Sequence, residues 1–233
     1  VNPFRGPNVF VSHRPWTQFA RAILLVSSTL FNFEALQTLQ LAEATSIGFS
    51  LPLIVALLAG PVLGEWVGPR RLIAIFVGFC GVLIVTRPGA NFKPAMFYSF
   101  GATLCYALYA VLTRMISAAD SWRTTTLYTA MSGLLLTPLL PAHWVWPSSG
   151  FIWLMLFMTG VFGGVAHWLL ILAHQRAPAA ILAPFVYTQI VWMTALGWLI
   201  FGDVPGPWTL VGGGVVIASG LYLWARERAV RGE

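Results

Sequence analysis

Long apolar stretches alternate with short polar breaks along almost the whole chain. Eight of these stretches approach or exceed the ~20 residues that a helix needs to cross a hydrocarbon layer about 30 Å thick. They span 17–38, 41–63, 70–87, 94–116, 123–141, 150–172, 177–201 and 207–225. The breaks between them are rich in proline and glycine. The pattern predicts an all-α bundle of membrane-crossing helices.

The composition supports a location in the membrane. The chain is 58% hydrophobic and 9% charged, with a mean hydropathy of +0.79, so it has too few charged residues to cover a water-soluble surface. A net charge of +6 is compatible with a nucleic-acid partner, but the 13 basic residues are scattered in ones and twos and form no basic face. We therefore expect a lipid bilayer around the chain and no nucleic acid.

The basic residues predict how the chain crosses the membrane. Basic residues concentrate on the cytoplasmic side of membrane proteins. With the C-terminus in the cytoplasm, only Arg87 and Lys93 lie outside. The basic residues then on the inner side are Arg5, Arg14, Arg21, Arg70, Arg71, Arg114, Arg123, Arg176, Arg226, Arg228 and Arg231. We expect a multi-pass protein of the cytoplasmic (inner) membrane of a bacterium, with a cytoplasmic C-terminus.

An internal repeat links two distant parts of the sequence. A shift of 138 positions, without a gap, aligns "GEWVGP" at 64–69 with "GDVPGP" at 202–207 and gives ten identities between positions 35 and 86. The shift spans five predicted helices, an odd number, so the two units are expected to be inverted relative to each other. Inverted repeats are typical of secondary transporters that work by alternating access. A duplication that only enlarged a membrane protein is the alternative.

The two repeat units differ in length. Residues 1–92 hold three predicted helices, whereas residues 93–233 hold five. The sequence begins with Val1 rather than methionine. We expect a ten-helix parent whose first two helices precede the given sequence, so that the first repeat is incomplete.

Two segments resemble the EamA-type branch of the drug/metabolite transporter superfamily. They are "LQLAEATSIGFSLPLIVALLAGPVLGEWVGPRRLIAIFVGFCGVLIVTRPG" at 39–89 and "APAAILAPFVYTQIVWMTALGWLIFGDVPGPWTLVGGGVVIASGLYL" at 177–223. The stretch "DSWRTTTLYTAMSGLL" at 120–135 is similar to riboflavin and S-adenosylmethionine importers. The resemblance implies a polytopic bundle of two inverted EamA-type repeats. It also implies ATP-independent transport of an amino acid, nucleoside, sugar, flavin or S-adenosylmethionine.

Acidic residues within the predicted helices are candidates for coupling or binding. An ionisable group at the centre of a membrane helix costs at least ~2.5 kcal/mol, so it is retained for function by default. Glu34 lies in the first span, near Asn32. Glu34 is either a proton-coupling or substrate-binding carboxylate, or a residue near the outer helix end that reaches headgroup water. Glu43 is expected at a hydrated helix start, and Glu65 and Asp203 are expected to end helices and order the paired turns.

An aromatic stripe follows the predicted helix 94–116. Tyr98, Cys105, Tyr106, Tyr109 and Thr113 lie within an arc of about 100° on a helical projection. Such a stripe is either core packing or the wall of a cavity that presents aromatic faces and hydroxyl groups. Tyr106 and Tyr109 are the candidate substrate contacts on it.

Four further polar residues are candidates for substrate contact. Ser50, His167, Tyr187 and Gln189 lie inside predicted spans, where they can donate or accept hydrogen bonds near the bilayer midplane. His167 alternatively serves only to hold a neighbouring helix. Pro184 interrupts the helix that carries Tyr187 and Gln189, either as a simple kink or by freeing carbonyls for a ligand.

Small residues are expected to serve packing. Cys80 and Cys105 lie in apolar runs, which disfavours a disulfide or a metal site. Small residues spaced by four predict close helix contacts, within one chain or in a homodimer. These pairs are Ala74 and Gly78, Gly160 and Gly164, and Gly214 and Ala218.

The sequence favours a secondary transporter of a small organic metabolite, with no cofactor or metal. A proton or substrate gradient would supply the energy. A membrane-embedded transferase is the main alternative, but it needs acids, bases or metal ligands gathered at one place. The four histidines are dispersed, and no H-E-x-x-H motif is present. A membrane scaffold without transport is the third hypothesis.

Overall fold

The computed structural model describes residues 10–39, 44, 47–86, 93–136, 146–202 and 206–231. All regular elements in these residues are helices, which confirms the predicted all-α fold. The helices are α1 (Pro15–Leu36), α2 (Leu51–Leu63), α3 (Pro69–Thr86), α4 (Ala95–Ile116), α5 (Trp122–Leu136), α6 (Gly150–Arg176), α7 (Ala179–Leu182), a 3-10 helix (Ala183–Tyr187), α8 (Thr188–Phe201) and α9 (Pro207–Arg231).

The predicted helix 177–201 is wrong as a continuous element. The structure divides it into α7, the 3-10 helix and α8. Pro184 lies in the first turn of the 3-10 helix. Proline has no backbone N–H and its ring clashes with the preceding turn, so an α-helix cannot pass through it undisturbed. The tighter 3-10 geometry accommodates the interruption.

Several helices have the length and hydropathy of membrane spans. Three of the described helices combine at least 18 residues with high mean hydropathy, namely Pro15–Leu36, Ala95–Ile116 and Gly150–Arg176. Two shorter apolar helices cover Leu51–Leu63 and Leu210–Tyr222. Three described helices are therefore long and apolar enough to cross a bilayer, whereas the apolar runs predicted eight spans.

The chain forms two compact units. Unit 1 contains Val1–Val26 and Leu112–Ala177, and unit 2 contains Ser27–Val111 and Pro178–Glu233. Helices α1 and α4 each contribute residues to both units. The compact units thus interleave along the chain, and the repeat boundary near residue 92 stays a prediction.

The two turns of the repeat share an unusual backbone conformation. Gly64 and Gly202 both have φ of 73°, and they are the two glycines with positive φ in the described part of the chain. The N–H of Gly64 donates to Gly60 O at 2.9 Å, and that of Gly202 donates to Trp198 O at 3.0 Å. Glycine adopts this left-handed conformation without steric cost, so it ends both helices in the same way.

The helices that follow these turns also begin alike. The N–H of Leu72 donates to Gly68 O at 3.1 Å, and that of Leu210 donates to Gly206 O at 3.1 Å. These residues are related by the shift of 138 found in the sequence. The described ends of the repeated turn therefore match in geometry as well as in residue type.

Helices α3 and α9 pack closely within unit 2. The Ser219 hydroxyl donates to Ala74 O at 2.6 Å. A Cβ added at Gly81 would lie 3.0 Å from Gly212 O. The shift of 138 exchanges Ala74 with Gly212 and Gly81 with Ser219, so each contact is the counterpart of the other. The two helices are antiparallel and related by a local two-fold exchange.

Three buried apolar clusters lie in the described part of unit 2, and Val186 packs against two of them. The first cluster contains Leu51, Val55, Ala107, Ala110, Val111, Ala179 and Ala183. The second cluster contains Phe49, Val82, Tyr187, Ile190 and Val216. These two clusters surround the start of α2 and the broken helix. The third contains Ala35, Leu39 and Ala44.

Candidate functional site

The interruption between α7 and α8 has a counterpart just before α2. The Thr188 hydroxyl donates to Phe185 O at 2.7 Å, and the backbone N–H at this helix end also donates to Phe185 O. The hydroxyl of Ser50 donates to Ile47 O at 2.7 Å, and its N–H donates to that carbonyl at 2.9 Å. The shift of 138 relates the two sites residue by residue. We call residues 47–50 and 185–188 the paired breaks.

The paired breaks supply polar backbone groups within two apolar segments. Interrupted helices in corresponding positions of two repeats are where many secondary transporters bind substrate and coupling ions. Irregular backbone at membrane depth is tolerated where it is buried in protein or lines a cavity. The breaks offer hydroxyl and carbonyl dipoles rather than charges, which suits hydrogen bonding to a polar organic solute.

Each of the paired breaks contains an aromatic residue, Phe49 before α2 and Tyr187 before α8. The rings of Phe49 and Tyr187 lie with centroids 6.2 Å apart and planes at 56°. Tyr187 is 2% exposed, and its hydroxyl donates to Ile75 O at 3.2 Å. The sequence predicts this hydroxyl as a substrate donor, whereas in the structure it binds the backbone of α3.

The aromatic stripe of α4 divides into differently placed parts. Tyr109 is fully buried, and its ring centroid lies 5.5 Å from that of Tyr106. Tyr106 packs against the first apolar cluster, whereas Tyr98 is exposed. Thr113 belongs to unit 1. Tyr106 and Tyr109 are therefore the stripe residues that lie together beside the first apolar cluster of unit 2.

The other predicted site residues are more dispersed. Glu34 is exposed and its carboxylate accepts from Gln37 Nε2 at 3.1 Å. Asn32 and Gln189 are also exposed, and His167 is half-buried in unit 1. The structure thus brings Ser50 and Tyr187 to the paired breaks and leaves these four outside them.

Among the acidic residues of the paired turns, Glu65 has a defined contact. Its Oε2 accepts a hydrogen bond from the N–H of Ala179, the first residue of α7, at 3.0 Å. The carboxylate therefore satisfies an unpaired donor at a helix start. Glu65 therefore has a structural role, as expected, but its side chain completes the start of α7 rather than the end of α2. Glu43 and Asp203 lie outside the described residues.

Unit 1 contains a buried arginine that the sequence reasoning missed as a site. Arg21 is 1% exposed. Its Nε and Nη2 donate to Gln18 Oε1 at 3.3 and 3.1 Å. Its Nη groups also donate to Thr113 Oγ1 at 3.3 Å, Thr125 O at 2.8 Å and Thr129 Oγ1 at 2.5 Å. The guanidinium thereby joins α1 to the end of α4 and to α5.

Gln18 connects the arginine to a buried carboxylate. Its amide donates to Asp120 Oδ2 at 3.0 Å and to Thr125 Oγ1 at 3.2 Å. Asp120 also accepts from the Ser12 hydroxyl and from the His13 N–H, the latter at 2.8 Å. Burial raises the pKa of the Asp120 carboxyl, but these hydrogen bonds outweigh it and hold the pKa below its usual range. We call Arg21, Gln18 and Asp120 the polar network.

A signal for the polar network was present in the sequence. Arg21 lies inside the first predicted span, 17–38, and an ionisable residue there is a functional candidate. The positive-inside pattern accounted for its charge, so its burial was not predicted. In the described residues, no three or more His, Cys, Asp or Glu side chains converge on a point that could hold a metal.

Comparisons with known proteins point to a single family. A family model described as EamA-like transporter family matches residues 3–87 and 93–225. A solved crystal structure superposes with a TM-score of 0.79 at 21% identity, covering 96% of this chain and 81% of the solved chain. At that identity the likeness shows the fold alone.

Relatives with assigned names are transporters. An S-adenosylmethionine uptake transporter of Rickettsia bellii is 27% identical over 97% of this chain and 78% of that protein. A riboflavin transporter of Vibrio cholerae is 30% identical over 77% of this chain and 62% of that protein. A pseudopaline exporter of Pseudomonas aeruginosa is 24% identical over 82% of this chain and 68% of that protein. These names include both uptake and export.

Proposed function

We propose, from the premise that this chain belongs to the EamA-like transporter family, that it moves its substrate by alternating access between two inverted repeats. The chain is a multi-pass membrane protein and a secondary transporter of a small metabolite rather than an enzyme. The observation that carries the mechanism is the pair of matching helix breaks, with hydroxyl-to-carbonyl bonds of 2.7 Å in both. Paired interruptions are where inverted-repeat transporters place their binding sites.

The substrate we propose is an amphipathic metabolite with a ring system, of the flavin or S-adenosylmethionine class. Support comes from the names of two relatives, which are a riboflavin transporter and an S-adenosylmethionine uptake transporter. Further support comes from Ser50 and Thr188, whose hydroxyls accompany uncharged backbone groups at the breaks. Such groups recognise the polar edge of a ring, while an aromatic face such as that of the half-buried Tyr106 stacks on the ring itself.

The proposed setting is the cytoplasmic membrane of a bacterium, with the C-terminus inside. The distribution of arginines supports this orientation. In this orientation, Glu34 lies towards the outer end of α1. Glu34 is the proposed proton-coupling carboxylate, since it is an acidic residue within a predicted span.

An uptake measurement tests the transport proposal. Cells expressing the chain are supplied with labelled riboflavin or S-adenosylmethionine, and accumulation and efflux are followed against cells with an empty vector. Replacing Ser50 and Thr188 together by alanine removes both break hydroxyls, and we expect transport to fall by about tenfold or more, as for two lost substrate contacts of ~1 kcal/mol each. Unchanged transport in the double variant would remove the breaks from the substrate path.

A matched control separates this effect from a general loss of helix-end bonds. The Ser117 hydroxyl donates to Arg114 O at 2.7 Å, the same local bond three residues back, at the end of α4. Ser117→Ala is therefore expected to transport as the parent does. Glu34→Gln tests coupling separately: if Glu34 carries the proton, the variant loses accumulation driven by a pH gradient but retains downhill exchange of substrate.

A further inference from the structure

Tyr187 makes a contact with α3 that only a glycine permits. Its hydroxyl donates to Ile75 O at 3.2 Å. A Cβ added at Gly78 would lie 2.8 Å from the Tyr187 ring, a separation that real side chains do not adopt. The ring therefore lies directly against the backbone of α3, one turn beyond the carbonyl that its hydroxyl binds.

The other repeat cannot make the same contact. The shift of 138 exchanges Tyr187 with Phe49 and Gly78 with Val216. Phe49 has no hydroxyl to donate, and Val216 carries a side chain where α3 has none. Phe49 and Val216 both belong to the second buried cluster, so this position is filled by apolar packing. The hydrogen bond between Tyr187 and α3 is consequently one-sided, although the repeat positions around it are paired.

A second hydroxyl also donates from the second predicted repeat to the first. Ser219 donates to Ala74 O, the carbonyl next to the one that Tyr187 binds, and its exchange partner is Gly81, which has no hydroxyl. Both bonds run from a residue of the second predicted repeat, 93–233, to a carbonyl of the first, 1–92. The two repeats thus contribute unequally to their contact.

This inequality has a consequence for alternating access. When inverted repeats alternate, each adopts the conformation that the other had, so identical repeats would make the two end states equal in free energy. A contact available to only one arrangement favours that arrangement by its differential free energy. We propose that Tyr187, seated on Gly78, is a positioning residue whose bond to Ile75 O favours the conformation described here over the exchanged one. The proposal rests on the proposed alternating-access function.

The test measures the two conformations directly. Spin labels on cysteines at Gly68 and Arg123 form one pair, and labels at Thr38 and Gly206 form a second pair, placed by the charge pattern at the opposite membrane face. Pulsed dipolar spectroscopy on the full chain in lipid nanodiscs gives the distance populations of each pair. Alternation shortens one distance while it lengthens the other, and a general loosening broadens both.

The first variant removes only the hydroxyl. Tyr187→Phe is expected to change the ratio of the two populations by about three- to fivefold, in opposite senses at the two faces, as for the loss of one interhelical hydrogen bond in a membrane. Tyr98→Phe removes a hydroxyl from an exposed tyrosine and is expected to leave the ratio unchanged. An unchanged ratio in Tyr187→Phe would overturn the proposal.

The second variant moves the bond to the other repeat. In the Tyr187→Phe chain, Phe49→Tyr with Val216→Gly builds the exchanged contact, and we expect a further shift in the direction that Tyr187→Phe began. A return towards the parent ratio would contradict the proposal, since a purely structural hydroxyl has no preferred direction.

Transport in the same nanodisc preparations, reconstituted into vesicles, separates this proposal from the broader one. If labelled substrate crosses and two populations are present but Tyr187→Phe does not change them, only the role of Tyr187 fails. If each label pair keeps a single distance in every variant and no substrate crosses, the alternating-access function itself fails.

Discussion

The buried side chains of the two compact units differ in chemical character. Among the described residues, four of the six largest fully buried side chains of unit 1 are polar, and the set is Gln18, Arg21, Thr113, Thr125, Ile116 and Ile171. The corresponding set in unit 2 is aliphatic or aromatic: Phe49, Val55, Ile75, Val82, Tyr109 and Val111. The large buried side chains of unit 1 are therefore mainly polar, whereas those of unit 2 are mainly apolar.

The contrast reflects two solutions to one physical problem. Lipid tails are as apolar as leucine, so the hydrophobic effect does not drive helices together within a bilayer. Helices associate there through interhelical hydrogen bonds or through small residues that allow backbones to approach. The polar network exemplifies the first solution, and the contact of α3 with α9 exemplifies the second. We therefore expect unit 1 to respond to changes of charge and unit 2 to changes of volume.

The largest expected effect is the loss of the buried guanidinium. Arg21→Met keeps much of the side-chain volume but removes the charged donor to Gln18 Oε1 and Thr125 O. Because buried hydrogen bonds to a charged group are costly to lose, we expect the free energy of unfolding to fall by about 3 kcal/mol. Denaturant unfolding in mixed micelles measures it. Arg14→Met, at an exposed arginine, is the control, and equal stability of the two variants would contradict a polar interior in unit 1.

The second effect is the pH dependence of stability that the Asp120 carboxyl contributes. The folded state holds the pKa of this carboxyl below its usual range, so its ionised form stabilises the fold above about pH 4 and that contribution is lost as pH falls through the folded pKa. We expect Asp120→Asn to be less stable by about 2 kcal/mol at neutral pH, as for a charged hydrogen-bond partner. The difference between parent and variant should shrink at acidic pH. If the stability difference between parent and Asp120→Asn does not vary with pH, the loss of stability comes from the changed shape of the side chain rather than from its lost charge.

The smallest effect concerns volume in unit 2. A Cβ at Gly78 would lie 2.8 Å from the Tyr187 ring, whereas a Cβ at Gly164 meets no described atom within 4 Å. Gly78→Ala should therefore destabilise by about 1 kcal/mol through overpacking. Gly164→Ala should be neutral or slightly stabilising, because alanine favours the helix. Thermal unfolding of both variants compares them, and equal shifts would show that close packing at α3 is not what holds unit 2.

Much of the fold was predictable because its signals are local. Apolar run length located α1, α3, α4 and α9 to within a few residues at their starts, and the shift of 138 aligned Gly64 with Gly202. The helix-ending role expected of Glu65 belongs to Gly64. The family resemblance, carried by the same segments, is confirmed by the family match. These features depend on residues close together in sequence, so no tertiary information was needed.

The features that were missed depend on distant residues. The hydropathy of 177–201 is continuous, and although Pro184 indicated an interruption, it did not predict the separate 3-10 helix Ala183–Tyr187. The burial of Arg21 depends on acceptors about a hundred positions later, on α4 and α5, which no local pattern connects to α1. A Cβ added at Gly160 or Gly164 would meet no described atom within 4 Å, so the helix contact predicted for this pair is not seen within the described chain, and contact in a homodimer stays a prediction. The role of Tyr187 changed for the same reason, since its partner Ile75 lies far away in the sequence.

The bond from Glu65 to the first residue of α7 bears on how such a protein is made. Glu65 lies in the first of the two matched segments, 3–87, and Ala179 lies in the second, 93–225. A helix start in one half is therefore completed by a side chain from the other. If the two halves were translated separately, the second would lack the carboxylate that completes the start of α7, so the two fragments are suited to complementation rather than to independent folding. During synthesis, the ribosome must extend the chain past Ala179 before Glu65 can meet its partner.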